Sequence, residues 1–156
     1  MKKLIYLISA SVILILMTDC MKCNNVAERF AEKVIEENIE RSSGKKVDID
    51  YGGSGRRVKI PAIFPRQLIP PGGKAINKVR VNTDEGTAIT LTFETRRRLE
   101  RVISFYKNLA GWRSLYTAEN AEGTSIALDG DGETAIINIG EENSKTIVTV
   151  IYTKKH

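Results

Sequence analysis

Histidine is almost absent from this chain, and its scarcity excludes several kinds of site. The one histidine, His156, is the last of the 156 residues. No internal imidazole is therefore present for a catalytic triad, a histidine-rich metal site or a pH switch near neutrality. Phosphate-binding loops, nucleophile elbows and dinucleotide-binding glycine motifs are also missing. We therefore expect a protein that is not an enzyme and that uses no metal ion or other cofactor.

Cysteine is equally scarce, since Cys20 and Cys23 are the two in the sequence. Two cysteines cannot supply a disulfide framework, so a hydrophobic core must hold the fold together. Their C-x-x-C spacing leaves open a disulfide between them or a thiol-redox site, but no strand precedes the pair as in thioredoxin-like proteins. No second ligand pair completes a zinc site.

The N-terminus has the pattern of an export signal. Lys2 and Lys3 form a short basic start, and an apolar run of 14 residues, 4–17, is broken only by two serines. A helix of that length covers about 21 Å of a hydrocarbon layer about 30 Å thick, so a membrane span is the weaker interpretation. Residues 1–19 are therefore predicted to be a secretory signal, with an uncleaved anchor as the alternative.

The end of that signal resembles a bacterial lipoprotein signal, because Cys20 follows the apolar run at the expected distance. Asp19 departs from the pattern, which has a small residue directly before the cysteine. The resemblance implies a lipid on Cys20 and a location in the cell envelope, facing the periplasm or the exterior. The membrane is then a partner of the chain, through the lipid or through the signal segment itself.

Residues 24–60 are predicted to form a helix followed by a β-hairpin. Apolar residues recur at helical spacing over 24–43, and Gly44 is expected to follow the end of that helix. Val47, Ile49 and Tyr51 alternate with charged residues, and a second alternation at residues 58 and 60 follows a glycine-rich stretch. These two alternations favour a hairpin.

The four prolines of the chain, Pro61, Pro65, Pro70 and Pro71, fall within residues 61–74. Prolines at this density exclude a regular helix or strand. The segment also carries the apolar residues Ile63, Phe64, Leu68 and Ile69. Because a solvated linker seldom carries so much apolar surface, we expect a strap that packs on a core.

The remaining residues, 75–156, are predicted to fold as two strands, a helix and four strands. The strands are expected at 75–81, 87–94, 113–118, 124–129, 133–139 and 145–153, with the helix between Leu99 and Gly111. Short glycine-bearing connections join neighbouring strands, and such connections allow only antiparallel pairs. The predicted fold class is α+β, an antiparallel sheet with an N-terminal amphipathic helix and a second helix packed on one face. The whole of 20–156 would then form one exported domain.

Two further patterns have ordinary structural interpretations. Residues 129–133, Asp-Gly-Asp-Gly-Glu, fail the EF-hand pattern because Thr134 stands at the required glycine position, so a hairpin turn is expected. Phe105, Tyr106 and Trp112 are predicted to pack in the core rather than to form an aromatic binding ledge.

Several short motifs between residues 64 and 112 resemble a recurring domain of the bacterial envelope. They are Phe64-Pro65, residues 70–74 (Pro-Pro-Gly-Gly-Lys), Thr95, residues 102–107 (Val-Ile-Ser-Phe-Tyr-Lys) and Gly111-Trp112. The resemblance covers most of the chain after residue 24. It implies the envelope address and the fold, and it transfers no catalytic residue because the family is largely uncharacterised.

This chain departs from the family pattern most clearly at Arg96, Arg97 and Arg98, which replace a polar or acidic helix start. Cations at a helix N-terminus oppose the helix dipole, at about 0.3 to 1 kcal/mol each when unscreened. Three of them together are a local cost without an evident structural return.

The charge is also unevenly distributed along the sequence. Residues 52–113 hold 13 basic and 4 acidic side chains, whereas residues 114–156 hold 3 and 7. The candidate anion-binding residues are Arg56, Arg57, Arg96, Arg97, Arg98 and Arg101. Solvated charges on several faces are the alternative, and nucleic acid is not expected because aromatic residues do not interleave the basic ones. We therefore expect an envelope protein with a structural or binding role, or else an exported binder of an anionic polymer, headgroup or acidic protein.

Overall fold

A computed structural model of the chain describes residues 33–41, 44–52, 58–84, 86–121 and 123–155. The predicted signal segment, Cys20, Cys23, the first part of the predicted helix, Arg56 and Arg57 lie outside these residues. The described residues are mostly antiparallel sheet with helices, so the α+β fold class is confirmed at that level.

The sheet has seven strands in the order β1-β2-β3-β7-β6-β5-β4. Their bounds are β1 Lys46–Tyr51, β2 Lys74–Thr83, β3 Gly86–Thr95, β4 Arg113–Asn120, β5 Gly123–Asp129, β6 Glu133–Glu142 and β7 Lys145–Lys155. Residues 33–41 are helical (α1). A second helix, α2, spans Leu99–Lys107, and a short 3₁₀ turn spans Arg66–Leu68.

The six strands predicted after residue 75 are confirmed, because alternation in the sequence becomes alternation between the two faces of the sheet. In β3, Ile89, Leu91 and Phe93 are fully buried while the residues between them are half-buried. β4, β5, β6 and β7 follow one another along the chain, and short connections join each strand to the next. Asn143 and Ser144, both with positive φ, form the turn between β6 and β7, as a two-residue hairpin loop requires.

The predicted hairpin between residues 47–51 and 58–60 is wrong. β1 pairs with β2 along its whole length, from Lys46 opposite Asn82 to Tyr51 opposite Asn77. Residues 58–60 are irregular and lead directly into Pro61, whereas β2 offers a ten-residue strand. The Lys59 amide nevertheless donates to the Asp50 carboxylate at 3.3 Å, which fixes this segment beside β1.

The proline-rich strap packs on the core, as predicted. Phe64 and Leu68 are 1% and 0% exposed, and the Tyr106 hydroxyl of α2 donates to the Leu68 carbonyl at 2.9 Å. We expected no regular element in this segment, and this is wrong at one place, because Arg66–Leu68 form a single 3₁₀ turn. That turn forms because its i+3 bond, from the Leu68 amide to the Pro65 carbonyl, needs no proline N–H.

The core lies between α2 and one face of the sheet. Helix α2 crosses β5 and β6 and buries Val102 and Tyr106 against them. The buried apolar residues of this core are Val58, Phe64, Leu68, Ala75, Ile89, Leu91, Phe93, Val102, Tyr106, Ile126, Leu128, Ala135, Ile137, Ile139, Val148, Val150 and Tyr152. Phe105 and Trp112 pack against it half-buried, which confirms their predicted core role. The helix ends at Lys107 with Asn108 as its cap, a little earlier than Gly111.

The two edges of the sheet differ. At β1, the Val47 and Ile49 amides donate to the Glu40 and Glu36 carboxylates of α1, so side chains satisfy outward-facing backbone groups. Gly44 follows α1 with a φ of 67° and donates to the Glu40 carbonyl, as predicted for its position after the helix. At the other edge, all eight residues of β4 are exposed.

An arginine cluster at the start of helix α2

Four arginines lie close together at the connection between β3 and α2. Arg96, Arg97, Arg98 and Arg101 are all exposed and together line a depression of about 360 Å³. We call these four residues the arginine cluster. Arg98 is the N-cap residue of α2 and caps it with no side-chain hydrogen bond, and Arg101 follows in the first turn. The predicted crowding of cations at this helix start is therefore present in three dimensions.

Two buried threonines hold the backbone that carries the arginine cluster. Thr95 and Thr146 are 2% and 1% exposed. The Thr95 hydroxyl accepts a hydrogen bond from the Arg97 amide at 3.2 Å and donates to the Pro71 carbonyl at 2.9 Å. The Thr146 hydroxyl donates to the Arg97 carbonyl at 2.7 Å. Because both its amide and its carbonyl are bonded to rigid strands, the Arg97 backbone is fixed in place.

The strap completes the support of the cluster. Its last turn runs past Thr95, where Gly72 has a φ of 67°. A side chain at that φ is strained, whereas a Cβ on Gly72 would meet the Arg97 nitrogen Nε only at an ordinary contact distance of 3.9 Å. The backbone conformation of this turn, rather than a lack of space, therefore favours glycine here.

No carboxylate neutralises the arginine cluster within the described part of the chain. None of its four arginines takes part in the ion pairs between described residues, which use other cations. Glu94 lines an adjoining depression of about 490 Å³ together with Lys74, Arg96 and Arg97. Its carboxylate is already paired with Lys145 at 2.8 Å. Glu100, in the first turn of α2, takes part in none of the ion pairs between described residues. The four arginines outnumber these two carboxylates, so the local charge is positive.

A different charged group, on β1 and β2, is compensated internally. The Lys78 ammonium lies 2.9 Å from Asp48 and 3.9 Å from Asp50, and both Lys78 and Asp50 are buried. One cation and two carboxylates leave this group with a single negative charge, so it offers no positive charge to an anion. The arginine cluster differs, because four cations stand together there without an ion pair among the described residues.

Of the predicted anion-binding residues, the structure brings together Arg96, Arg97, Arg98 and Arg101. Arg56 and Arg57 lie outside the described residues, as does the predicted lipidation site Cys20. Sequence reasoning did not assign the supporting roles of Thr95 and Thr146. A signal existed for Thr95, because it continues the inward alternation of Ile89, Leu91 and Phe93.

Sequence reasoning also missed a groove beside the arginine cluster. It has a volume of about 500 Å³ and is lined by Pro71, Arg97, Arg101, Val102, Ser104, Phe105 and Asn108. Most of its surface is apolar. The groove forms only when the strap comes beside α2, so the pattern of either segment alone does not show it.

The two buried tyrosines near the core are not ionised at neutral pH. Burial raises the pKa of Tyr106 above the ordinary tyrosine value. Burial also raises the pKa of Tyr152, and the Glu133 carboxylate adds to that rise. Within the described residues, no three histidine, cysteine, aspartate or glutamate side chains cluster closely enough to hold a metal ion.

No protein-family model matches the chain, and no curated protein or solved structure is significantly similar to it. Among the helices that the structure describes, none has both the length and the hydropathy of a membrane span.

Proposed function

We propose that this chain is an exported, lipid-anchored envelope protein whose folded domain binds anionic ligands through the arginine cluster. One observation carries the binding part: four exposed arginines line one depression and form no ion pair with a described carboxylate. Residues 1–19, Cys20 and the resemblance to the envelope domain support the address. The proposal also keeps an amphipathic helix over residues 24–43.

The physical argument starts from the cost of assembling these charges. Guanidinium groups close together repel one another, and the dipole of α2 adds to that repulsion at its N-terminus. An anion bound among them relieves both effects. Arginine is suited to this task because its planar fork can donate two parallel hydrogen bonds to a phosphate or carboxylate.

The rigid support makes the cluster a better binding site than a flexible basic tail. Thr95 and Thr146 hold the Arg97 backbone, so part of the ordering occurs when the protein folds rather than when the ligand binds. A purely structural role for the domain is the alternative. It is disfavoured by the position of these charges, which contribute no ion pair to the described fold.

The test replaces Arg96, Arg97 and Arg98 with serine in the full chain and measures binding to inorganic polyphosphate at low and high salt. Each arginine contributes about 1 kcal/mol near an anionic surface, so affinity at low salt should fall by up to roughly 100-fold. Binding by the native chain should weaken as salt rises. The melting temperature should stay unchanged or rise slightly, because three cations leave the positive end of α2.

A control of equal charge change separates a site from net charge. Lys107→Ser, Arg113→Ser and Lys154→Ser remove three exposed cations that already pair with Glu119, Asp129 and Glu133. This control should keep most of the polyphosphate affinity. Equal losses in both triple variants would reduce the effect to net charge. Early melting of the arginine variant with native binding would make the arginines structural.

The proposed anchor has its own test. Cys20→Ser should release the protein from the membrane fraction or leave its precursor unprocessed, because the acyl-bearing thiol is gone. Wild-type protein that fractionates as a soluble cytoplasmic protein would contradict export and anchoring while leaving the binding measurement unaffected.

A further inference from the structure

We propose that the ligand of the arginine cluster is an anionic amphiphile, with a phosphate head among the arginines and an alkyl chain in the adjoining groove. This inference rests on the proposed binding function and names its ligand class. The groove is the one lined by Pro71, Val102, Ser104, Phe105 and Asn108 together with Arg97 and Arg101, and we call it the alkyl groove.

The two depressions share residues. Arg97 and Arg101 line both the basic depression and the alkyl groove. These two residues therefore stand at the boundary, where the head of a bound molecule would meet its chain. Their aliphatic stems can contribute apolar wall to the groove while the charged ends stay with the head.

The lining of the alkyl groove suits hydrocarbon. Pro71, the half-buried Phe105 and the buried Val102 are among the residues that line it. Asn108 also lines it, and its side-chain amide already donates to the Ser104 carbonyl at 2.8 Å. An alkyl chain in this groove removes apolar surface from water on both partners, which is favourable in proportion to the area covered.

The volumes are compatible with one molecule in both places. The basic depression measures about 360 Å³ and the alkyl groove about 500 Å³. A phosphate group and a chain of several carbons fit these spaces side by side. An inorganic anion would use only the first of them, and an uncharged hydrocarbon only the second.

The first experiment measures how affinity depends on chain length. Inorganic phosphate and butyl, hexyl and octyl phosphate are titrated into detergent-free full chain by calorimetry, below their micelle concentrations. Affinity should rise with each added methylene by about two- to fourfold, until the groove is filled. Hexanol and hexyltrimethylammonium, which lack the anionic head, should bind far more weakly than hexyl phosphate.

The second experiment blocks the groove without removing a charge. Ser104 is exposed on α2 at the groove, so Ser104→Phe should fill part of it while leaving the core intact. We expect at least a tenfold loss of octyl phosphate affinity and unchanged affinity for polyphosphate. Ser104→Ala is the matched control and should bind both probes like the native chain. Both variants keep the same N-terminal apolar segment, so partition into that segment cancels.

Vesicles then identify the source of the amphiphile. Phosphatidylglycerol vesicles are compared with phosphatidylcholine vesicles, using the native chain, Ser104→Phe and the triple arginine variant. A preference for phosphatidylglycerol that both variants lose identifies a bilayer lipid. Binding of alkyl phosphates without that preference identifies a soluble amphiphile.

The outcomes distinguish this inference from the proposed function. If polyphosphate binds and affinity is independent of alkyl chain length, the arginine cluster binds anions but the amphiphile proposal is wrong. The amphiphile proposal is also wrong if the Ser104→Phe variant binds octyl phosphate like the native chain while its melting curve shows that it is folded. If neither polyphosphate nor any alkyl phosphate binds, both proposals are wrong.

Discussion

At the scale of single residues, two buried tyrosines provide a direct comparison. Tyr106 and Tyr152 are both 0% exposed. The Tyr106 hydroxyl donates to the Leu68 carbonyl at 2.9 Å, whereas the Tyr152 hydroxyl has no well-aligned hydrogen-bond partner among the described residues. Burial raises the pKa of Tyr152, and the nearby Glu133 carboxylate raises it further.

We therefore predict that removing the two hydroxyl groups has different effects on the free energy of unfolding. Tyr106→Phe leaves the buried Leu68 carbonyl without this donor and should lower the free energy of unfolding by about 1 to 3 kcal/mol. Tyr152→Phe removes a buried, unpaired hydroxyl and should be neutral or slightly stabilising. Urea denaturation of both variants measures the difference. Equal destabilisation by the two substitutions would show that the Tyr106 bond does not tie the strap to α2.

The same tyrosines predict a loss of stability in alkali. Burial keeps both protonated in the folded state, so each folded pKa lies above the unfolded value near 10. Their contribution is complete below about pH 10 and is lost as pH rises beyond it, because the unfolded chain then releases protons that the folded chain retains. Each tyrosine should add up to about 1.4 kcal/mol per pH unit to the rate at which the free energy of unfolding decreases with rising pH. Urea midpoints between pH 9 and 11.5 test this, and Tyr152→Phe should flatten the slope.

At the scale of secondary-structure elements, the β1 edge of the sheet shows how side-chain carboxylates accept the hydrogen bonds that a neighbouring strand would otherwise accept. The Glu36 and Glu40 carboxylates of α1 accept hydrogen bonds from the amides of β1 that would otherwise face outward. These bonds connect a helix to a sheet edge at two points. They also occupy donors that an incoming strand would need.

Removing these carboxylates should open the β1 edge. We predict that Glu36→Ala with Glu40→Ala lowers the free energy of unfolding by about 2 kcal/mol and speeds hydrogen exchange at the Val47 and Ile49 amides. Glu37→Ala is the control, since Glu37 is exposed and pairs only loosely with Lys33, at 4.0 Å. Native exchange rates at residues 47 and 49 in the double variant would contradict the role assigned to these carboxylates.

At the scale of the whole molecule, β7 joins two parts of the chain into one sheet. It pairs with β3 on one side and with β6 on the other, over ten residue pairs each. The strap and α2 then cover strands from both parts with a single core. Val47 and Ile49 of β1 are buried outside this core, and β1 joins the rest of the sheet through its pairing with β2.

We therefore predict that residues 24–156 unfold as one cooperative unit. The fluorescence of Trp112, the one tryptophan, reports on the turn between β5 and β6, because a Cβ on Gly130 would lie 3.2 Å from its ring. Its transition should coincide with that of far-ultraviolet circular dichroism, which reports on the whole sheet. Two separated transitions would divide the domain into modules.

Local pattern was sufficient for most elements of this fold. The strands after residue 75 were predictable because each buries alternate residues on one continuous core face, and period-two alternation is a property of the strand itself. The same holds for the turn after β5, for Gly44 after α1 and for the run of arginines ahead of α2. Each of these depends on neighbours within a few residues, which the sequence displays directly.

The pairing of distant segments, in contrast, depends on the assembled fold. Residues 58–60 alternate like a strand, yet β1 pairs with β2 because the longer strand satisfies more backbone groups. The support of Arg97 by Thr146, 49 positions away, and the groove between the strap and α2 depend on the same long-range assembly. The positions of strands, helices and charges along the chain follow from local sequence. Their partners were decided by which distant surfaces could be buried together, a competition that local periodicity does not encode.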